Sequence, residues 1–336
     1  MFLSVIIPTL NRRVPLFRQL RSLQQQTLAD FQIIVVDNAA DKLLWQDIRV
    51  FNATATHPVG YVPERQRGLM YARHTGACTA TGEILVYVDD DQTTMPAALQ
   101  AYAEAFAAHP EMAAAGGPLD LVWEEPAPLW LIDYINATPG MFPLLGWLDL
   151  GPAFLLSTDG SFFGGNMAIR RDVLFQVGGF NPDLIGTRCV GDGEVGLYRK
   201  LQARHLLIGY VPTALQKNYI PRERMTLAYL RQRIAYDGAS AMYTRYHPHV
   251  PDTRTLLRHA AQIAAANIKY WAGGLPFYGR TDPRSVTIQL RAAETQAQVA
   301  YLLRLCWDKD LRRLVQAEKW LEELGPDPKG HPFQHG

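Results

Sequence analysis

Five apolar residues, Ile84 to Val88, run without a break into three consecutive aspartates, Asp89, Asp90 and Asp91. So short and apolar a run reads as a strand buried on both faces. Two others precede it: Phe2 to Ile7, ended by Pro8, and Phe31 to Val36, ended by Asp37-Asn38. Between them the spacing turns helical. Leu16, Phe17, Leu20 and Leu23 mark a helix over Leu16 to Gln26. Glu64 to Thr79 reads as a helix with an arginine-bearing face, stopped by Thr81-Gly82. Met95 to Ala108 is a third, with Pro96 in the first turn, where proline is tolerated. Weaker strands are expected at Val50 to Ala53 and Met112 to Gly116. Such alternation implies an α/β fold with a doubly wound, mostly parallel sheet flanked by helices. Ligands bind outside the carboxyl ends of the strands in sheets of this kind. Asp37 and the acidic run stand at two of those ends, so distant residues converge on one rim.

Leu119 to Asp159 shows no clear period and carries Trp123, Trp130 and Trp147. Order resumes at Gly164 to Arg170, then Asp172 to Val177 and the turn Gly178-Gly179. Asp192 opens a helix to about Ala203, followed by a strand at Leu206 to Val211. From Thr226 the pattern is helical, with segments at Leu227 to Tyr246, Thr255 to Trp271 and Val286 to Leu324.

Composition narrows the function. Hydrophobic residues are 48% and charged residues 19% of 336, which excludes disorder over most of the chain. A net charge of +1 gives no global field for nucleic acid, so an anion site must be local. Cys78, Cys189 and Cys306 are odd in number and far apart, which fits reduced thiols rather than disulfides or a zinc site. No stretch approaches a membrane span, and the apolar start lacks the positive charges that precede a secretory core. A cytoplasmic protein is expected, with contact at the inner membrane face left open.

Packed carboxylates repel unless protons or a cation neutralise them. Magnesium or manganese takes one or two protein carboxylates and completes its shell with phosphate oxygens and water. A turn with a helix cap would explain one aspartate of the run, not three. Asp37 can accept from a ribose hydroxyl or a base N–H, or serve only as a turn residue. Arg65, Arg67 and Arg73 lie near this rim in sequence, and Arg73 is the foremost candidate for a diphosphate clamp. Asp192 is either a helix cap alone or a cap and general base, and Gly193 and Gly196 behind it suggest close approach to the backbone.

These residues together resemble a known family. Val5-Ile6-Ile7-Pro8-Thr9, Ile34-Val35-Val36-Asp37-Asn38, Ala72-Arg73-His74-Thr75-Gly76, and Thr81-Gly82-Glu83-Ile84 leading into Asp89-Asp90-Asp91 resemble the nucleotide-binding half of family-2-type glycosyltransferases with the GT-A fold. Gly164 to Arg170 and Val177-Gly178-Gly179-Phe180 resemble their acceptor half, and Asp192-x-Glu194 the motif of their catalytic base. The resemblance implies a nucleotide-sugar-binding half at 1–118, an acceptor-binding half of the same domain at 119–225, a helical C-terminal extension at 226–325 and a loose tail at 326–336. It implies Asp37 on the nucleoside, Asp90 on the ribose, Asp91 on the metal, Thr9 or Pro8 lining the nucleotide pocket, and Asp192 as the base of an inverting transfer; Asp89 or Asp90 is expected to assist Asp91 at the metal. Trp123, Gly165, Asn166 and Glu194 are the acceptor candidates. The sequence departs from the pattern at His74, at Gly191 and at Asn218, which stands where a histidine often helps bind metal or diphosphate. Lys217 is its alternative partner for phosphate.

The expected reaction moves a sugar, most often from a UDP-linked donor, to a glycan, lipid-linked or small-molecule acceptor. A homodimer and a peripheral membrane contact are both compatible with the helical end. A nucleotidyltransferase would share the sheet and metal, but the loop Pro8-Thr9-Leu10-Asn11-Arg12-Arg13 lacks the glycines such enzymes use. A non-catalytic sugar-nucleotide-binding protein would have no need to keep Asp37, the acidic run and Asp192 together.

Overall fold

The computed structural model describes residues 1–137, 140–185 and 188–317. The expected tail at 326–336, and the end of the helix expected to reach Leu324, lie outside them. The first part alternates as expected: β1 (Leu3–Thr9), α1 (Arg13–Leu23), β2 (Phe31–Asp37), α2 (Lys42–Asn52), β3 (Val59–Pro63), α3 (Leu69–Thr79), β4 (Ile84–Val88), β5 (Gln92–Thr94), α4 (Ala98–Ala108) and β6 (Met112–Gly116). The middle holds β7 (Leu119–Trp123), α5 (Leu129–Asn136), β8 (Met141–Phe142), β9 (Trp147–Leu148), β10 (Leu155–Ser157), β11 (Asn166–Arg170) and α6 (Arg171–Gln176). Then come β12 (Leu184–Ile185), β13 (Arg188–Cys189), α7 (Gly193–Ala203), β14 (Leu207–Tyr210) and β15 (Gln216–Ile220). Four helices close the chain: α8 (Leu227–Tyr246), α9 (Thr253–Phe277), α10 (Pro283–Trp307) and α11 (Lys309–Gln316).

Eight strands form the main sheet in the order β10-β14-β6-β11-β4-β1-β2-β3. β1 runs parallel to β2 and β4, and β3 parallel to β2. β11 is antiparallel to both its neighbours, so the sheet is mixed but mostly parallel. Alternation along each strand feeds two cores. Leu3, Val5 and Ile7 pack with Leu16 and Leu20 of α1, Ile48 of α2 and Phe106 of α4. Ile6, Ile34 and Tyr87 face the other way, onto Met70 of α3 and Leu197 of α7. Thr9 pairs with Asp37 at the carboxyl edge, and Asp89 follows β4 on the same edge.

The third strand is displaced from its expected place. Residues 50–53 end α2, because Leu44 and Ile48 at helical spacing are its buried positions and Asp41 caps its first turn by accepting from the Leu43 N–H at 2.8 Å. Val50 is 75% exposed, so its β-branch is free of the core. The helix expected from Glu64 begins only after Gly68, since the Asn38 side chain ties 64–68 into a loop: it donates to the Glu64 and Gln66 carbonyls and accepts from the Gly68 N–H.

The aperiodic middle builds a second sheet of five strands, β5-β15-β7-β9-β8. Its apolar side packs with α5, α8 and α10 through Leu131, Leu230 and Leu290. α10 packs along both α8 and α9. At Gly238 of α8 a Cβ would stand 2.4 Å from the Glu294 carbonyl oxygen of α10, so only glycine permits that crossing. Among the described residues, no helix is long and apolar enough to cross a membrane.

Candidate functional site

Two cavities open at the carboxyl edge. The first, about 730 Å³, is walled by Pro8, Thr9, Arg12, Asn38, Arg67 and Asp89 to Asp91, among others. The second, about 440 Å³, lies between the two sheets and α8, with Gly165, Glu194, Tyr198, Tyr229, Arg233 and Asp237 in its wall. Asp89, Asn218 and Arg224 belong to both walls. The two cavities therefore meet at the end of β4.

The acidic run is heavily engaged. Asp90 is buried; it accepts from the Thr9 hydroxyl at 2.7 Å and from Arg12 at 3.1 Å. Burial, with Asp91 and Asp89 adding and Arg12 and Thr9 opposing, pushes its carboxyl up to about 6. Asp91 Oδ2 accepts from Arg12 at 2.8 Å and from Arg224 at 2.7 Å. Asp89 Oδ1 accepts from Arg73 at 3.1 Å. Its pKa is raised by burial and by the charges of Asp91 and Glu194, against the pull of Arg73. Asp91 Oδ1 and Asp89 Oδ2 take no hydrogen bond among the described residues.

Those two oxygens and the crowded charge fit a divalent cation that draws its other ligands from phosphate and water. They do not form a cage alone: among the described residues no group of three or more His, Cys, Asp or Glu is placed to hold a metal. Asn218 lines both cavities, but its amide nitrogen donates to the Leu145 carbonyl at 2.8 Å.

Arg73 is not in either cavity wall. It is 1% exposed and spans two carboxylates, with Nη2 toward Asp89 at 3.1 Å and Nη1 toward Glu194 at 3.4 Å. Gly164 packs so closely that a Cβ there would stand 2.3 Å from Nη1. Arg73 thus braces two acids instead of facing a cleft as a clamp. Of its sequence neighbours, Arg67 lines the first cavity, and Arg65 is exposed and in neither wall.

Asp37 is likewise absent from the cavity walls. It is fully buried and holds the turn after β2, accepting from the N–H groups of Ala39 and Asp41 and from the Tyr61 hydroxyl at 2.8 Å. Asn166 is also fully buried; it donates to the Pro118 and Ala214 carbonyls and accepts from the Tyr102 hydroxyl, pinning the two sheets together. Trp123 packs on the α5/α8 core and borders a separate cleft with Trp147 and Lys217. Gly165 does lie in the second cavity, where a Cβ would stand 2.4 Å from Gln92 Nε2 and 2.6 Å from Asp89 Oδ2.

At the head of α7 the two acids part. Asp192 is buried; its Oδ1 accepts from Asn181 at 2.8 Å and its Oδ2 from Thr244 of α8 at 2.7 Å. Its pKa is raised by burial, with those two hydrogen bonds opposing. It makes no side-chain cap and lines neither cavity. Glu194 lines the second cavity, and its side chain is 26% exposed. Nearby Asp183 is pushed up to about 7 by burial and by the charge of Glu194, against Arg233 and Arg73.

Sequence reasoning passed over Arg12, Arg224, Tyr229 and Asp237 as site residues. Arg12 is positioned by the loop after β1, where Asn11 takes φ 56°. Arg224 stands in the short turn between β15 and α8. The available signal on α8 was the four-residue spacing of Tyr229, Arg233 and Asp237, which sets three polar groups on one helix face.

Residues 4–178 match the family described as glycosyl transferase family 2. A Haemophilus influenzae protein described as an uncharacterized glycosyltransferase is 34% identical over 95 residues, 28% of this chain and 31% of that protein. A glucosyl-dolichyl phosphate glucuronosyltransferase of Haloferax volcanii is 26% identical over 125 residues, 36% of each. The chain spans about a third of the length of these curated relatives. Among solved structures, the mannosyltransferase PcManGT from Pyrobaculum calidifontis in complex with GDP-Man and Mn2+ superposes with a TM-score of 0.56 at 19% identity, covering 91% of this chain and 87% of that one. That likeness shows a shared glycosyltransferase fold, of the GT-A type, and the match over more than half of the residues shows the lineage: the chain belongs to glycosyl transferase family 2.

Proposed function

We propose that this chain transfers a sugar from a nucleotide-diphosphate donor to an acceptor hydroxyl in one inverting displacement. The observation that carries the reading is the meeting of two cavities across Asp89, Asn218 and Arg224, with the acidic run on the first side and Glu194 on the second. The first cavity suits the donor. Pro8, Thr9, Leu10 and Leu69 offer a surface for the nucleoside, and Arg12, Arg67 and Arg224 offer guanidinium groups for the diphosphate. Asp90 acts indirectly, fixing the β1 loop through Thr9 and Arg12. Asp91 and Asp89 are the residues that would hold manganese or magnesium. The bound ion would offset the charge that builds on the departing diphosphate.

The second cavity suits the acceptor. Its wall mixes apolar surface from Met141, Leu144 and Phe163 with the aromatic rings of Tyr198 and Tyr229 and with charged groups, a mixture that fits a sugar or a sugar on a larger carrier. GDP-linked sugars join the UDP-linked ones as the first donors to test, since the superposed mannosyltransferase was solved with GDP-Man and Mn2+. A thermal-shift panel of nucleoside diphosphates and their sugars, each with and without manganese, tests the reading. A manganese-dependent rise in Tm with one nucleotide is expected, because a ligand specific to the folded state stabilises it by mass action. Folded protein that responds to none of them would overturn the reading.

A further inference from the structure

A group that takes a proton from an acceptor must reach that hydroxyl directly or through one water. Three carboxylates line the acceptor-side cavity: Asp89, Glu194 and Asp237. Asp89 stands at the junction with the donor cavity beside Asp91. Asp237 is held by Arg233 at 2.5 Å. Glu194 is paired only loosely, through Oε2 to Arg73 at 3.4 Å, and its Oε1 takes no hydrogen bond among the described residues.

Asp192 is placed quite differently, although it is two residues away. Asn181 and Thr244 occupy its two oxygens, and the carboxylate lies back over its own helix. A Cβ at Gly196 would stand 2.2 Å from Asp192 Oδ1 and 2.3 Å from Asn181 Nδ2, which explains the glycine in that turn. Gly193, at φ 51°, turns the chain so that Asp192 faces inward and Glu194 faces the cavity. Tyr301 of α10 donates to the Val190 carbonyl at 2.8 Å and fixes the approach to this turn.

We propose that Glu194, and not Asp192, is the general base of the transfer, with Arg73, which spans Glu194 and Asp89, as its positioning residue. This assignment rests on the glycosyl-transfer reading above. The acceptor O–H proton passes to the Glu194 carboxylate while the acceptor oxygen bonds to the anomeric carbon. The bond from that carbon to the diphosphate breaks, and its electron pair leaves with the nucleoside diphosphate. In the absence of an acceptor, water takes the same place, so slow hydrolysis of the donor reports the same proton transfer.

The test uses the full chain with manganese and whichever UDP- or GDP-sugar stabilises it. Glu194→Gln should bind the nucleoside diphosphate with wild-type Kd while its rate of diphosphate release falls by roughly 100-fold or more, the usual size of a lost acid–base group. Asp192→Asn should lower Tm yet keep turnover per folded molecule within a few-fold of wild type. Arg73→Lys, which keeps the charge but loses the two-armed span, should lower kcat and leave the donor KM unchanged. A Glu194→Gln protein that turns over at the wild-type rate would overturn the assignment. So would a folded, nucleotide-binding Asp192→Asn protein that is inactive. Wild-type protein that binds no nucleoside diphosphate would instead remove the glycosyl-transfer reading, and this assignment with it.

Discussion

The cavity proposed for the donor and the cavity proposed for the acceptor share an edge but are built in different ways. Most of the donor wall comes from residues 8–91, in the end of β1, the loops after strands of one sheet and the first turn of α3, with Leu184, Asn218 and Arg224 added from later in the chain. The acceptor wall is gathered from short pieces between Asp89 and Asp237: the end of β4, the turn around Leu144, the loop at Phe163 and Gly165, the head of α7, β15 and one face of α8. The donor side is therefore a local product of strand–loop–helix units. The acceptor side exists only when the second sheet and the helical extension have docked. Tyr229, Arg233 and Asp237, which follow residue 226, share that wall with residues of the acceptor-binding half expected at 119–225.

Substitutions should separate the two sides. The largest effect is expected from Asp91→Ala. It removes the carboxylate that gathers Arg12 and Arg224, and should abolish the manganese-dependent donor shift and lower turnover by roughly 100-fold or more, the scale of a lost electrostatic stabiliser. Calorimetric titration with the nucleotide checks it, and donor affinity unchanged by the substitution would move the metal site elsewhere. Arg73→Ala should blur the distinction, because one side chain braces a carboxylate of each cavity. A cost of about 2–3 kcal/mol in stability is expected, below that of a fully buried pair since Asp89 and Glu194 keep some solvent. Denaturant unfolding measures this, and a loss under 1 kcal/mol (about the worth of a surface pair) would mean that the brace is dispensable. The smallest change, Tyr61→Phe, takes one hydrogen bond from buried Asp37 and should cost about 1.5 kcal/mol without altering donor turnover. A fall in donor affinity there would tie Asp37 to the donor.

The sequence made the donor side readable for the same reason that it is local. An apolar run and the residue that ends it state both the strand and its rim, and β1, β2 and β4 lie where those runs are. The strand at Val59–Pro63 escaped because Gly60 and Pro63 interrupt it, while Val50 and Phe51 at the end of α2 imitated one. The second sheet escaped because strands of two to five residues carry almost no period. Polar residues keep their orientation hidden from a pattern. Asp37, Arg73, Asn166 and Asp192 all sit at motif positions, yet each is buried and bonded to partners outside its own motif, such as Tyr61, Glu194, Tyr102 and Thr244. A motif shows that a polar group is wanted at a position. Whether it faces a cleft or a carbonyl depends on residues that pattern alone does not connect.

The helix face bearing Tyr229, Arg233 and Asp237 has a consequence for how such a protein can diversify. Three side chains on successive turns of α8 line the second cavity, and none of them belongs to a strand of the main sheet or to the loops that carry the acidic run. On the proposed reading of the two cavities, acceptor choice is written partly on one face of a single helix, a stretch of chain separate from the loops proposed to select the nucleotide.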